Sequence, residues 1–291
     1  MADAFITIAT PQLSAAINPL GAELTHLRDA DGRELMTNAD PAFWTGHAPL
    51  LFPIVGRLNG DMLHIDGTEY PMKQHGFARR SVFTLVEQSD AQAVFLLEDS
   101  AESRAIYPFP FALRVTYTIT DATLDVAVVI ENRGGDVLPA SFGFHPAFAW
   151  PLPYGLPRAD HRIVFAEDEP ASLRELVDSA IIEQRRASPL EGRTLALDDA
   201  LFERDALIWD ALQSRSVRYG APIGPQLRVD FPLMPMLGIW TKPGAAFVCI
   251  EPWHGIADPA GFAGDIRDKP GIVEIAPGTT LACGLQVTLE G

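Results

Sequence analysis

The chain is poor in cysteine, in basic charge and in long apolar runs, and each shortage excludes a class of protein. Cys249 and Cys283 are its two cysteines, too few for a disulfide framework, and each lies in an apolar, strand-like segment where a reduced thiol packs as a small hydrophobe. Lysine and arginine number 22 against 38 aspartates and glutamates, a formal net charge of −16. A surface of that sign repels phosphate backbones and anionic headgroups, so nucleic acid and membrane surfaces are not expected partners. No apolar run approaches the ~20 residues of a bilayer span. The opening residues, MADAFITIAT, have neither the basic start nor the apolar core of a secretory signal, and a cytoplasmic location is expected. The histidines, His26, His47, His64, His75, His145, His161 and His254, show no short ligand spacing, so no metal is expected.

Helical periodicity is scarce as well. Only residues 172–186 can be written with a helical period, using Leu173, Leu176, Ile181 and Ile182 as the apolar positions. Elsewhere the period is two: alternating or β-branched runs at 5–9, 22–27, 62–65, 82–86, 93–97, 111–119, 124–131, 237–240, 246–250 and 284–289 predict strands. Asp31-Gly32, Asn59-Gly60, Asp66-Gly67, Gly134-Gly135, Pro243-Gly244 and Pro277-Gly278 punctuate them, and Asp66-Gly67 between MLHI and TEYPM is the clearest hairpin. The 24 prolines and 23 glycines are spread along the chain, with no linker, repeat or low-complexity tract. The expected fold is therefore all-β, a large antiparallel β-sandwich with few short helices, built as one domain over residues 1–291; a barrel is the alternative with the same periodicity.

Four stretches carry chemistry. In SFGFHPAFAW, residues 141–150, a strand would turn Phe142 and Phe144 to one face and Ser141, Gly143 and His145 to the other, with Pro146 ending the pairing. Taken alone, His145 reads as well as a core histidine bonded to backbone. Its small neighbours leave room for a ligand. In PLLFPIVGRLNG, Arg57 closes an apolar run, as a solvated strand-end charge or as a planar fork for substrate oxygens. KQHGFARR gathers Lys73, His75, Arg79 and Arg80 against the global sign of charge; it reads as a surface patch or as a polar wall for a polyhydroxylated or phosphorylated ligand. In AAFVCIEPWHGIAD, Phe247, Cys249 and Glu251 share a strand face and Pro252 is expected to stop the ladder. A carboxylate ending an apolar run is prone to desolvation, which strengthens it as a base.

Together these stretches make the chain similar to the aldose 1-epimerase (galactose mutarotase-like) family, in its LacX-type branch. NPLGAEL, LFPIVGRLNG, QHGFARR, GFHPAF, VCIEPW and the late APG turn follow in the family's order over nearly the whole chain. QHGFAR is also similar to the hexose-6-phosphate epimerase branch. The resemblance implies a sugar pocket on a twisted β-sandwich and catalysis without metal or organic cofactor. By motif it implies Glu251 as general base, His145 as general acid, and His75 and Arg57 as binders of sugar hydroxyls. Asp205, in LFERDALI, is matched loosely to a sugar-contacting aspartate, and Arg79 is a candidate for a substrate phosphate. Pro252-Trp253-His254 departs from the Thr-Gln segment of galactose mutarotases, which bears on sugar preference.

The activity implied is interconversion of α and β anomers of a hexose or hexose phosphate through ring opening and reclosure. It asks for an ionised Glu251 and a protonated His145, with the small Gly143 and Ser141 leaving space for the sugar ring. The partner expected is a small-molecule sugar or sugar phosphate. The other readings are a carbohydrate-binding protein of the same fold without catalysis and, lower, a glycoside hydrolase, which needs a second carboxylate across the bond.

Overall fold

The structure, a computed structural model, describes residues 5–291, so the first four residues of the opening segment lie outside it. Two antiparallel sheets face each other across the main core. The nine-stranded sheet runs from edge to edge as Thr194–Ala196, Arg162–Phe165, Ser216–Gly220, Gln226–Asp230, Thr280–Glu290, Thr123–Asn132, Phe111–Thr120, Gln92–Glu98 and Thr84–Gln88. The eight-stranded sheet runs Ala180–Arg186, Leu173–Val177, Leu207–Trp209, Met236–Trp240, Phe247–His254, Phe142–Phe144 and Leu50–Leu51, with Ala147–Ala149 also paired to Phe247–His254.

Alternation explains this assembly. Thr123–Asn132 buries Leu124, Val126, Val128 and Ile130 in the main core, and Phe142, Phe144, Val248 and Ile250 reach the same core from the opposite sheet. The opposite faces of those second-sheet strands turn outward, and Cys249 and Glu251 lie on that side of Phe247–His254. The Asp66-Gly67 hairpin joins Met62–Ile65 to Thr68–Pro71, with φ of 49° and 78° at its turn, both left-handed as a two-residue hairpin turn requires. The one α-helix among the described residues is a single turn, Ala101–Arg104, whose Ser100 forms a capping box with Ser103. No helix among them is long and apolar enough to cross a membrane.

Two sequence expectations are corrected. Residues 172–186 are a hairpin of Leu173–Val177 and Ala180–Arg186, turned through Asp178 and Ser179 at φ of 50° and 68°. The alternation there is hidden because an inward position is Glu175, buried and ion-paired with Arg204. Nor does Pro252 stop its strand, which continues to His254 with Pro252 opposite Leu237. The reason lies on the other flank. Ile250 donates its N–H to the Pro146 carbonyl (3.1 Å), and two residues on, Pro252 faces the same flank, at the break between Ala147–Ala149 and Phe142–Phe144. The N–H that proline lacks therefore falls where no strand is paired.

Candidate active site

The outward face of the eight-stranded sheet carries a pocket of about 340 Å³, on the scale of a small-molecule site. Its floor is where one strand's end meets the middle of its neighbour. Glu251 comes up from Phe247–His254, and His145 is the residue after Phe142–Phe144, held between that strand and Pro146. Their contact, His145 Nε2 to Glu251 Oε2, is 3.2 Å, and both side chains are under a tenth exposed. The Trp44 ring stacks on the imidazole at 4.9 Å and 29°. Trp240 meets it edge-on, with ring centroids 6.0 Å apart.

His75 forms the next wall. Its backbone N–H donates to the Gly56 carbonyl at 2.8 Å, and Gly56 N–H donates back to His75 Nδ1 at 3.1 Å. With Nδ1 accepting, a neutral His75 carries its proton on Nε2, making that atom a donor. Arg79 also lines the pocket, its Nη2 donating to the Gln74 carbonyl at 3.3 Å. Arg80 and Lys73 are outside the lining; Arg80 donates to the Gly76 carbonyl instead. Arg57 stands at the rim with a half-exposed side chain, its fork already paired with Asp61 through two 2.8 Å hydrogen bonds. Asp205, in a left-handed turn at φ of 69°, closes the far side.

All six site residues named from sequence thus line one pocket, although they lie between residues 57 and 251 in the chain. Sequence reasoning missed Trp44, Trp240, Gln74 and Ser179. Trp253 was in view, one residue beyond Pro252, and its flat ring is a common sugar-facing surface, but it was read only as a departure from a motif. Ser179 was lost inside the expected helix. The role given to Gly143 and Ser141 is corrected too, since neither lines the pocket. A Cβ on Gly143 would lie 2.6 Å from Trp253 Cδ1, and one on Gly238 would lie 2.4 Å from the same indole. Two bare backbones make the seat for Trp253.

Burial dominates the electrostatics. It pushes the Glu251 carboxyl well above its usual range, with the Asp205 charge adding to the effect, and it pushes the His145 imidazole down to about 3. His75 is driven well below the imidazole range by burial and by the neighbouring His145 and Arg79. Burial, with Arg80 beside it, lowers Arg79 to about 10, which leaves it cationic at neutral pH. Burial thus favours the neutral form of both groups, against the ionised glutamate and protonated histidine that the reaction asks for. One proton is shared by the pair in either arrangement, and low polarity places it on the carboxyl.

This has a measurable consequence for stability. Unfolded, Glu251 gives up its proton above 4.5 and His145 above 6.5, whereas the folded pair keeps one, so above 6.5 folding takes up a proton and stability falls as pH rises. Against Glu251→Gln, which lacks that uptake, the wild type should lose about 1.4 kcal/mol of unfolding free energy per pH unit above that point while the folded pair holds its proton. Urea denaturation of both proteins at pH 6, 7 and 8 measures it; parallel curves would mean that no proton is held.

A family model for aldose 1-epimerase matches residues 4–258. The chain belongs to the aldose 1-epimerase family. The LacX protein encoded on a Lactococcus lactis subsp. lactis plasmid is 32% identical over 295 residues, covering 98% of this chain and 99% of that protein. Among solved structures, a galactose mutarotase related enzyme from Lactobacillus acidophilus superimposes with a TM-score of 0.92 at 32% identity, covering 99% of this chain and 98% of that one. A galactose mutarotase-like protein from Lactobacillus casei does so with a TM-score of 0.92 at 30% identity, covering 99% of this chain and 100% of that one. As in those relatives, the aldose 1-epimerase fold here is the galactose mutarotase-like β-sandwich.

Proposed function

We propose that the protein is an aldose 1-epimerase in activity as well as in family, interconverting the anomers of a hexose by proton transfer between Glu251 and His145. The observation that carries this is the buried 3.2 Å contact between an acid and a base at the floor of a sugar-sized pocket. A carbohydrate-binding module needs no such pair, and burying it is unfavourable unless proton transfer uses it.

The steps follow from the geometry. A C1 hydroxyl donating to Glu251 replaces the water that burial removed and offsets the desolvation that keeps the carboxyl protonated. The proton crosses to His145. Glu251 then accepts the hydroxyl proton while His145 protonates the ring oxygen, the C1 to ring-oxygen bond breaks, and the open-chain aldehyde forms. Rotation about C1–C2 and reclosure with the roles exchanged gives the other anomer. His75, with its Nε2–H, and Asp205 hold hydroxyls across the pocket. Trp253 contributes an apolar wall, and its buried indole N–H is directed at the Glu251 carboxyl, where it favours the ionised form. The test is polarimetry: the protein should accelerate mutarotation of α-glucose or α-galactose, and saturable sugar binding without acceleration would instead identify a binding protein.

Arg79 and the half-exposed Arg57 are the lining residues of positive charge in a chain of net charge −16, which favours a substrate with a phosphate at the end of the ring away from C1. Arg79→Ala should then raise KM for glucose 6-phosphate by about tenfold or more, a lost charge-assisted hydrogen bond of ~1.5–3 kcal/mol, while KM for glucose stays within about twofold. Equal changes for both sugars would remove the phosphate from the reading.

A further inference from the structure

Behind the pair lies a third donor that proton transfer does not use. Cys249 precedes Glu251 by two residues on the same face of Phe247–His254, and it is paired across the sheet with Ala147, two residues beyond His145. One ring nitrogen of His145, Sγ of Cys249 and one carboxylate oxygen of Glu251 all lie within 4.8 Å of one another. Each of the three residues is buried. Zinc bonds of ~2.0–2.3 Å arranged tetrahedrally put neighbouring donors ~3.3–3.8 Å apart. The nitrogen-to-oxygen separation of 3.2 Å is already close to that, and side-chain movements of about an ångström would bring in the sulfur. The set of one imidazole, one thiolate and one carboxylate suits zinc or cadmium rather than magnesium or calcium, which prefer oxygen alone. Three protein donors leave the fourth position of a tetrahedron to a water.

Nε2 is the His145 nitrogen that faces Glu251, and Nδ1 is buried with no acceptor from another residue, so a metal on Nε2 would be held without the second acceptor that usually orients such a ring. The stacked Trp44 ring shields the imidazole on its other side.

We propose that Cys249, His145 and Glu251 form a binding site for a single zinc-class divalent cation, and that the cation and the sugar compete for the pocket floor. On binding, the thiol proton and the proton shared by His145 and Glu251 leave to solvent, the ion takes one lone pair from each of the three side chains, and a water completes the tetrahedron. Blockade of catalysis rests on the proton-transfer role proposed above. Binding of the ion does not.

Titration of the whole protein with Cd²⁺, followed by the ultraviolet thiolate-to-cadmium band, and equilibrium dialysis with Zn²⁺ test the site without reference to activity. Expected are one ion per chain and a thiolate band that is absent in Cys249→Ser and Cys249→Ala, kept in Cys283→Ser, and weakened at least about tenfold in affinity by His145→Ala. In the wild type, a sugar whose mutarotation the protein accelerates should displace the ion, which needs no variant to fold. Zn²⁺ should inhibit mutarotation reversibly by chelation, and Cys249→Ser should escape at the same concentration. No band at equimolar Cd²⁺, a band that survives loss of Cys249, one indifferent to both His145→Ala and Glu251→Gln, or an ion that stays under saturating sugar would each overturn the proposal. One ion bound by a protein without mutarotase activity would leave the site standing and remove the proposed function instead; an active protein that takes up no ion would do the reverse.

Discussion

Glu251→Gln is expected to lower kcat for mutarotation by ~10²- to 10⁴-fold, the range one positioned acid or base supplies. KM should stay within a few-fold, because the amide keeps the size of the carboxyl and its contact with His145. His145→Ala should fall in the same range, with a larger change in KM, since it also removes the ring on which Trp44 stacks. The double variant should be little worse than the poorer single one, because either change leaves the remaining group with no partner for its proton. Polarimetry at saturating sugar measures all three. Retention of full acceleration by both single variants would assign the proton transfers to other groups. The pH profile adds an independent check. With His145 held down to about 3 and Glu251 held up, log kcat/KM should pass flat through 6.5, where a free imidazole would bend it.

Gly76→Ala should be the most destabilising single methyl in the site's surroundings. Gly76 has a φ of 69°, and a Cβ there would lie 2.1 Å from the Phe52 carbonyl oxygen and 2.4 Å from its carbon. Those are backbone atoms of a buried segment, and they cannot swing aside as a side-chain end can. Left-handed strain of ~1–2 kcal/mol and overpacking of ~1–3 kcal/mol together give a loss of roughly 2–5 kcal/mol. That is a fall in Tm of about 3–8 °C for a chain of this size. The segment that must move carries Phe77 N–H and Ala78 N–H, both donating to the Phe52 carbonyl, and begins at His75. Activity should therefore drop along with stability. A Tm within a degree of wild type would show that the backbones are not in contact.

Much of the sheet was legible in the sequence, because inward and outward positions alternate cleanly in strands such as Phe111–Thr120 and Thr123–Asn132. Legibility failed where polarity and burial part company. Glu175 is buried because Arg204 neutralises it, and that pairing across the chain erases the alternation of its strand and lends residues 172–186 a helical look. Pro252 reads as a stop, yet the neighbouring strands break opposite it. His145, Arg57, His75, Arg79 and Glu251 stand out in the sequence as polar groups set against Gly or Pro at the ends of apolar runs, whereas Asp205 is reached only through the resemblance of motifs. What their side chains do electrostatically depends on enclosure, which no motif records: burial favours the neutral forms of both Glu251 and His145. The spacing of histidines likewise gave no hint of the cluster with Cys249, since its members come from two strands more than a hundred residues apart.

The long strand Thr280–Glu290 sits in the middle of the nine-stranded sheet, between Thr123–Asn132 and Gln226–Asp230. During synthesis, the four strands from 84 to 132 and the four from 162 to 230 can each pair among themselves, but nothing joins the two groups until residue 290 has emerged. Before then each group has an open edge, the kind of surface that pairs with other chains. Completion of the nine-stranded sheet therefore waits on this strand, and a chain halted between residues 230 and 280 carries two sticky half-sheets in place of one finished one.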